Sequence, residues 1–179
     1  PTAAVDSDLN DIHQSPYVVN DRPAIAQALG TPVLLAGTVN VRSTGPAGNN
    51  FTPGDEDDYF QVDLVAGQVV ELEFATDPAQ SDVDLYVWSA DGQRIVGASA
   101  GVDSRFECVQ ITTSGRYFVN VYAYRGASIY NLRIGAPGSA GQCAERTTAA
   151  SFHPGELMAL SRSGADAPSA QALAAARAR

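Results

Sequence analysis

Short stretches in which apolar and polar residues alternate run from Pro32 to Ile134, and they constrain the fold more than any other feature of the sequence. Alternation with a period of two places successive side chains on opposite faces of a β-strand, and such strands at regular spacing are typical of a sandwich. We therefore predict an all-β, antiparallel, jelly-roll-like β-sandwich of about eight strands. The predicted strands are PVLLAGTVNV, DYFQVDLV, QVVELEFA, DVDLYVWS, QRIVGAS, RFECVQIT, RYFVNVYAY and SIYNLRI.

The same alternation predicts which side chains form the core and where the chain turns. The side chains expected to point inward are Phe60, Val62, Leu64, Val70, Leu72, Phe74, Tyr117, Val119 and Val121. Between strands, VAGQ at 65–68 and SADGQ at 89–93 carry glycine turn signals. Because tight hairpin turns need residues with positive φ, both segments predict antiparallel hairpins.

The composition divides the chain into three parts. Residues 1–31 form a polar N-terminal arm, in which RPAIAQALG predicts a short helix that ends at Gly30. Residues 32–136 form the sandwich, and residues 137–179 form a linker and tail. The tail segment AQALAAARAR has high helix propensity but no broad apolar stripe, so we expect a mobile, partly helical tail.

The charge balance excludes several classes of partner. The formal net charge is -9, and every basic residue is an arginine. Nucleic acids and anionic membrane surfaces are therefore not expected as partners. No apolar run reaches the roughly 20 residues of a membrane helix, and the opening residues PTAAVDSD lack a signal-peptide pattern. We expect a soluble, already trimmed chain.

Two cysteines, Cys108 and Cys143, are compatible with one disulfide or with two thiols. The acidic, Gly-, Thr-, Ser- and Asn-rich composition favours an exported protein, and export favours the disulfide. The histidines, His13 and His153, lie in the arm and the tail, so the sandwich offers none for a nucleophile and base. We therefore expect a chain that is not an enzyme.

Two acidic clusters predict a cation site. DSDLND in the arm and GDEDD before the second predicted strand both concentrate side-chain oxygens. Ca²⁺ binds six to eight oxygens from carboxylates, amides and carbonyls, so the two clusters together predict a calcium site, whereas each cluster alone is more typical of solvated loop acids. The candidate ligands are Asp6, Asp8, Asn10, Asp11, Asp55, Asp57 and Asp58.

A group of aromatic residues is the candidate ligand-binding surface. Grouped surface aromatics are typical of recognition patches, whereas the alternative is a second layer of core. The residues are Tyr86, Trp88, Phe118, Tyr122 and Tyr124.

The order of motifs resembles the bacterial pre-peptidase C-terminal domain. The resemblance covers about residues 18–135 and rests on RPAIAQAL, GDEDDYFQVDLVAGQVVELEF, SDVDLYVWSADGQ and SGRYFVNVYAYRGASIYNLRI. That family consists of β-sandwich modules of secreted peptidases and is similar to the collagen-binding domains of clostridial collagenases. The resemblance implies calcium ligands in both acidic clusters, and it leaves open whether the dipeptide Asn20-Asp21 joins them. The implied ligands are Asp6, Asp8, Asn10, Asp11, Asp55 and Asp58.

The resemblance also implies a function. Tyr122 and Tyr124 fall where collagen-contacting tyrosines lie in those relatives, and SFHPGELMALSR resembles the start of a propeptide that precedes a subtilisin-like domain. We expect a non-catalytic, calcium-binding accessory module of a secreted subtilisin-like serine peptidase that aids secretion, maturation or substrate targeting. Its expected partner is a downstream peptidase domain. The alternative is an adhesive module whose aromatic face binds a collagen-like fibrous protein or a polysaccharide.

Overall fold

In a computed structural model of the chain, which describes residues 1–136 and Cys143, two five-stranded sheets pack as a sandwich. The all-β sandwich predicted from the alternation is confirmed, and each of the eight predicted strands is present. The strands are β1 Thr2–Val5, β2 Gln27–Leu29, β3 Val33–Asn40, β4 Asp57–Leu64, β5 Val69–Phe74, β6 Asp82–Ser89, β7 Ile95–Ser99, β8 Phe106–Gln110, β9 Gly115–Arg125 and β10 Ala127–Ile134.

The first sheet has the order β1-β3-β10-β5-β8 and the second has the order β2-β4-β9-β6-β7. Strands far apart in sequence are neighbours, since β3 pairs with β10 and β4 pairs with β9, both antiparallel. This connectivity is that of a jelly roll. The sheets are mixed, because β1 pairs with β3 and β2 pairs with β4 in parallel.

The N-terminal arm is part of both sheets. Its strand β1 forms an edge of the first sheet and its strand β2 forms an edge of the second. The predicted helix ending at Gly30 is wrong: Pro23–Ile25 form a single 3₁₀ turn, and β2 follows it. Pairing with β4 and the contact of Leu29 with the core favour the extended backbone there. Within the described residues, no helix is long and apolar enough to cross a membrane.

The predicted core is confirmed. The residues expected to point inward lie in one cluster between the sheets, with Tyr117 partly buried at its margin. Leu72, Leu85 and Leu132 from three different strands are fully buried in it. Fully burying such side chains stabilises the fold by about 1.5–3 kcal/mol each.

The turn VAGQ does not form the predicted hairpin. β4 lies in the second sheet and β5 in the first, so this turn carries the chain across the sandwich. Gln68 stabilises the crossing: its side-chain oxygen accepts from the backbone N–H of Val65 at 2.5 Å, and its side-chain nitrogen donates to the carbonyl of Gly135 at 2.8 Å. The hairpin predicted at SADGQ is present between β6 and β7, and Gly92 there has φ of 68°.

Candidate metal centre

The two acidic clusters lie at the same end of the sandwich. After β1 the backbone N–H of Asp6 donates to the carbonyl of Ala36 at 2.9 Å, which keeps the arm beside β3. At the end of β3, Asn40 and Asp55 exchange two backbone hydrogen bonds of 2.8 Å. These contacts bring the acidic turn before β4 next to the acidic segment of the arm.

Two groups of carboxylates in this region have a spacing suited to a cation. Oxygens of Asp6, Asp8 and Asp58 lie within 4.8 Å of one another, and those of Asp8, Asp21 and Asp55 meet the same limit. Since a Ca–O distance is about 2.4 Å, two oxygens on opposite sides of one calcium ion lie about 4.8 Å apart. Each group therefore has a spacing that one ion can bridge, and Asp8 belongs to both.

The central aspartates are buried, and each has one oxygen in a protein hydrogen bond and one without. Asp6, Asp8, Asp55 and Asp58 are at most 3% exposed. Among the described residues, Asp6 Oδ2, Asp8 Oδ1, Asp55 Oδ1 and Asp58 Oδ1 have no hydrogen-bond partner, and neither does Asn20 Oδ1. A buried polar atom left unpaired costs about 1–3 kcal/mol. Carboxylate and amide oxygens of this kind are the ligands that a hard cation prefers.

Neutral donors hold the other oxygens. Asn20 donates to Asp6 Oδ1 from its side chain and to Asp8 Oδ2 from its backbone N–H, both at 3.1 Å. The hydroxyl of Tyr130, which lies on β10, donates to Asp58 Oδ2 at 2.6 Å. These bonds fix the carboxylates in position without neutralising their charge.

Asn50 joins the loop between β3 and β4 to the centre. It is fully buried, and its side-chain nitrogen donates to Asp55 Oδ2 and, at 2.7 Å, to the carbonyl of Asp8. Its side-chain oxygen accepts from the hydroxyl of Tyr17 at 2.5 Å. Asn50 therefore links the arm, the loop and the acidic turn.

Among the described residues, no arginine forms an ion pair with Asp6, Asp8, Asp55 or Asp58. Arg116 pairs instead with Asp63, and Arg133 pairs with Glu71. A cluster of buried carboxylates without a basic partner needs protons or a metal ion to offset its charge.

The electrostatics of the cluster favour protonated carboxyls in the absence of a cation. Burial, followed by the charge of Asp6, raises the pKa of Asp8 to about 8. Burial, followed by the charges of Asp8 and Asp6, raises the pKa of Asp55 to about 9. Burial likewise holds the pKa of Asp58 well above its usual range. A bound divalent cation favours the ionised forms instead, because its charge is opposite to theirs.

The structure does not bring all predicted ligands to the centre. The side chain of Asn10 is engaged elsewhere, since it donates to the carbonyl of Pro46 at 2.9 Å and accepts from the backbone N–H of Asn50 at 2.8 Å. Asp11 is exposed and accepts from the backbone N–H of His13 at 2.8 Å within a turn. Asp57 lies on the face of β4 opposite to Asp58, because adjacent strand residues point to opposite faces.

The dipeptide Asn20-Asp21, left open by the sequence, does reach the centre. Asn20 is fully buried and contacts Asp6 and Asp8, whereas Asp21 is exposed and contributes a carboxylate to the second group. The amide-acid composition of this pair is a local signal for a cation ligand. Asn50 and Tyr130 have no such signal, because their roles depend on contacts between distant segments.

The predicted exposed aromatic surface is a second buried layer instead. Tyr86, Trp88, Phe118 and Tyr122 are 2–6% exposed and cluster on the outer face of the second sheet, with Tyr124 partly buried beside them. Ala26 of the arm and Ala98 of β7 pack against this cluster, which gives a physical reason for the burial. The ring centroids of Tyr86 and Tyr122 lie 6.4 Å apart. This geometry supports the alternative that the aromatic residues form core.

The two cysteines form a disulfide. Cys108 on β8 is bonded to Cys143, and both residues are buried. Of the two alternatives that the sequence left open, the disulfide is therefore confirmed.

Comparison with known proteins gives low similarity scores. No protein-family model matches the chain. The pre-peptidase C-terminal domain of a collagenase from Bacillus anthracis is 14% identical, with a TM-score of 0.44, over 61% of this chain and 93% of that chain. PliG from Aeromonas hydrophila, a periplasmic inhibitor of g-type lysozyme, is 15% identical, with a TM-score of 0.34, over 62% of this chain and 97% of that chain. PliG from Salmonella Typhimurium is 14% identical, with a TM-score of 0.35, over 61% and 98% of the two chains.

Proposed function

We propose that this chain is a calcium-binding β-sandwich module in which Ca²⁺ joins the N-terminal arm to the acidic turn before β4. The residues that would hold the ion are Asp6, Asp8, Asn20, Asp21, Asp55 and Asp58. The ion would supply positive charge to a cluster that the described residues leave without an ion-pair partner. The proposed role of the module is that of an accessory domain that binds Ca²⁺ and does not catalyse a reaction.

One observation carries the proposal. In each of Asp6, Asp8, Asp55 and Asp58, one carboxylate oxygen accepts from a protein donor while the other is buried and has no partner among the described residues. Solvated loop acids, the alternative interpretation of these clusters, would have their oxygens in water. The burial of these oxygens therefore favours a bound ion.

Calcium binding should couple to docking of the arm. Asp6 and Asp8 follow β1, whereas Asp55 and Asp58 lie beside and in β4, so an ion shared between them links segments that are distant in sequence. An ion that binds only the docked form stabilises it by RT ln(1 + [L]/Kd), about 2.7 kcal/mol at a hundredfold excess over Kd. Extracellular modules bind calcium with Kd on the order of 10⁻⁴–10⁻³ M. At millimolar calcium the stabilisation is therefore smaller than this figure.

Calorimetric titration with CaCl₂ after treatment with EDTA tests the proposal. Asp8→Asn removes a charge common to both carboxylate groups, so we expect affinity to fall at least about tenfold. Asp11→Asn is the matched control, because Asp11 lies in the same acidic segment but is exposed and outside both groups. Absence of calcium binding by the wild type, or equal affinities of the two variants, would reject the site.

Limited proteolysis tests the coupling to the arm. Calcium should slow cleavage of residues 9–19, which connect the docked positions at Asp8 and Asn20. Cleavage of this segment at the same rate in calcium and in EDTA would contradict coupling while leaving binding itself intact.

We further propose that the module serves a secreted subtilisin-like serine peptidase. The support is the resemblance of its motifs to pre-peptidase C-terminal domains and its disulfide, which is typical of oxidising compartments. The proposed partner is a peptidase domain encoded in the same reading frame. A gene that encodes no such domain next to this chain would reject this context, although it would leave the calcium site untested.

A further inference from the structure

A groove lies on the outer face of the first sheet, beside the disulfide. Its volume is about 220 Å³, below the roughly 300–1,000 Å³ of small-molecule sites. The lining residues are Leu34, Glu71, Glu73, Phe106, Asn131 and Arg133. Val70, Leu72 and Phe74 point into the core, so alternation along β5 places the two glutamates on the opposite face. A space of this size fits one or two side chains rather than a free ligand.

The chemistry of the lining favours a cationic side chain. Arg133 pairs with Glu71 at 3.6 Å, whereas Glu73 has no ion-pair partner among the described residues. The groove therefore has one carboxylate in excess of its basic groups. Phe106 is partly buried and forms an aromatic part of the wall, and a guanidinium is attracted to the face of an aromatic ring.

The chain that follows β10 runs along this face towards the groove. Gly135 comes directly after β10, and its N–H donates to the carbonyl of Val69 at 3.3 Å. Cys143 is the next described residue beyond position 136, and it is bonded to Cys108, which lies opposite Glu71 on the neighbouring strand. Val69 and Glu71 are successive outward positions of β5, so the chain has advanced along that strand to the border of the groove.

The first basic residue after the disulfide is within reach of the groove. Arg146 lies three positions after Cys143, and an extended chain covers at most about 3.3–3.6 Å per residue, so their Cα atoms can be about 10 Å apart. Cys108 and Glu73 occupy diagonal positions on paired strands, and such positions are only about 7–8 Å apart. The length of the arginine side chain adds to this reach.

We propose that the groove is the docking site of the tail segment 144–148, AERTT, whose Arg146 guanidinium binds between Glu71 and Glu73. The aliphatic part of the arginine lies against the ring of Phe106. Because the disulfide keeps this segment at the groove, its effective concentration is high, and an ion pair too weak to join separate molecules is populated here. The inference is independent of the calcium site, because none of the aspartates of that site lines the groove.

Trypsin cleavage after Arg146 tests the docking in the intact chain. A docked arginine cannot enter the protease, so the cleavage rate follows the fraction of time for which the segment is released. Glu73→Gln should fold normally because Glu73 is exposed, and it should accelerate this cleavage about two- to fivefold through the loss of one exposed ion pair. Cleavage after Arg162, the next arginine of the tail, should keep its rate, as measured by mass spectrometry of the fragments.

A control variant and a second measurement locate the effect. Asp103→Asn removes the same charge at an exposed position outside the lining and should leave both cleavage rates unchanged. In ¹⁵N-labelled protein, Arg146→Gln should shift the backbone amide resonances of Glu73 and Phe106. Arg162→Gln should leave these resonances in place.

Four results would overturn the proposal. Equal cleavage after Arg146 in the wild type and Glu73→Gln would show that Glu73 does not hold the segment, and equal acceleration after Arg162 would show a general loosening instead. Unshifted resonances of Glu73 and Phe106 in Arg146→Gln would place the arginine elsewhere. Protection of Arg146 that rises with protein concentration would assign the groove to the tail of a second copy. Each of these results leaves calorimetric calcium binding unaffected, so the two proposals fail separately.

Discussion

Replacing Asp55 by asparagine should have opposite effects in the absence and presence of calcium. Asp55 is 3% exposed and shares a carboxylate group with Asp8 and Asp21. The substitution removes a charge but keeps the shape, and the new amide oxygen can accept from Asn50 as the carboxylate does. It should therefore stabilise the calcium-free protein and weaken its response to calcium.

The stabilisation in EDTA follows from the raised pKa. Burial and the charges of Asp8 and Asp6 raise the pKa of Asp55 from 3.8 to about 9. Ionising the buried Asp55 carboxyl lowers the free energy of unfolding. This loss is absent below pH 3.8 and grows as pH rises towards 9, so at pH 7 it is about 4 kcal/mol. Because the aspartates share protons, we assign about half of it, 2 kcal/mol, to Asp55. Dividing this free energy by an entropy of unfolding of about 0.3 kcal/mol/K predicts that the melting temperature of the variant rises by about 7 °C.

The calcium response should decrease. At a calcium concentration ten times the wild-type Kd, binding stabilises the wild type by about 1.4 kcal/mol, which raises melting by about 5 °C. If the affinity of the variant is tenfold lower, the stabilisation is about 0.4 kcal/mol and the increase is about 1–2 °C.

Differential scanning calorimetry in EDTA and in CaCl₂ at pH 7 measures both effects. Asp11→Asn is again the control, because it removes one negative charge at an exposed position of the arm. A lower melting temperature of Asp55→Asn in EDTA would refute the desolvation argument. If calcium raised the melting temperature of Asp55→Asn as much as that of the wild type, the role of Asp55 as a ligand would be refuted.

Four further outcomes are expected. In EDTA the melting temperature should fall from about pH 5 to about pH 8, because the raised carboxyl pKa values of the cluster disfavour the folded state as pH rises. Calcium should reduce this fall, and a melting temperature in EDTA that does not change with pH would contradict the prediction. Tyr130→Phe leaves Asp58 Oδ2 without its donor and should lower the free energy of unfolding by about 1–2 kcal/mol in urea, and wild-type stability would argue against that bond. Reducing Cys108–Cys143 should lower it by about 3–4 kcal/mol, since the bond spans 35 residues, and unchanged urea unfolding after reduction counts against this. Leu72→Ala should lower it by about 2–5 kcal/mol, and a smaller loss would mean that the core is less tightly packed there.

Strands and core residues were predictable because alternation encodes the face on which each side chain lies. The pattern that placed Phe60 and Val62 in the core also implies that Asp58 points inward and Asp57 outward, as the structure shows. The same alternation, applied to the acidic cluster, excludes Asp57 from the expected ligands because Asp57 points outward. After Asp8 the arm enters turns, so alternation no longer predicts direction, and Asn10 and Asp11 point away from the centre.

The remaining features depend on contacts between distant segments. Asn50 and Tyr130 contact the aspartates only after the loop and β10 are in place, and neither has a local signal. Strands β1 and β2 are four and three residues long, too short for a periodic pattern. The hairpin predicted at Gly67 is wrong because a glycine turn signal does not reveal whether the next strand joins the same sheet. The predicted helical tail lies outside the described residues.

The two short strands of the arm have a consequence for how the protein can be shortened. Each pairs with the outer edge of a different sheet, since β1 covers the edge of β3 and β2 covers the edge of β4. A version beginning at Pro32, the boundary suggested by composition, would present unsatisfied backbone groups along both long strands at once. Unpaired strand edges of this kind can form hydrogen bonds with strands of other chains. Trimming the arm should therefore produce self-association, visible as early elution in size-exclusion chromatography, even where the interior of the sandwich remains folded.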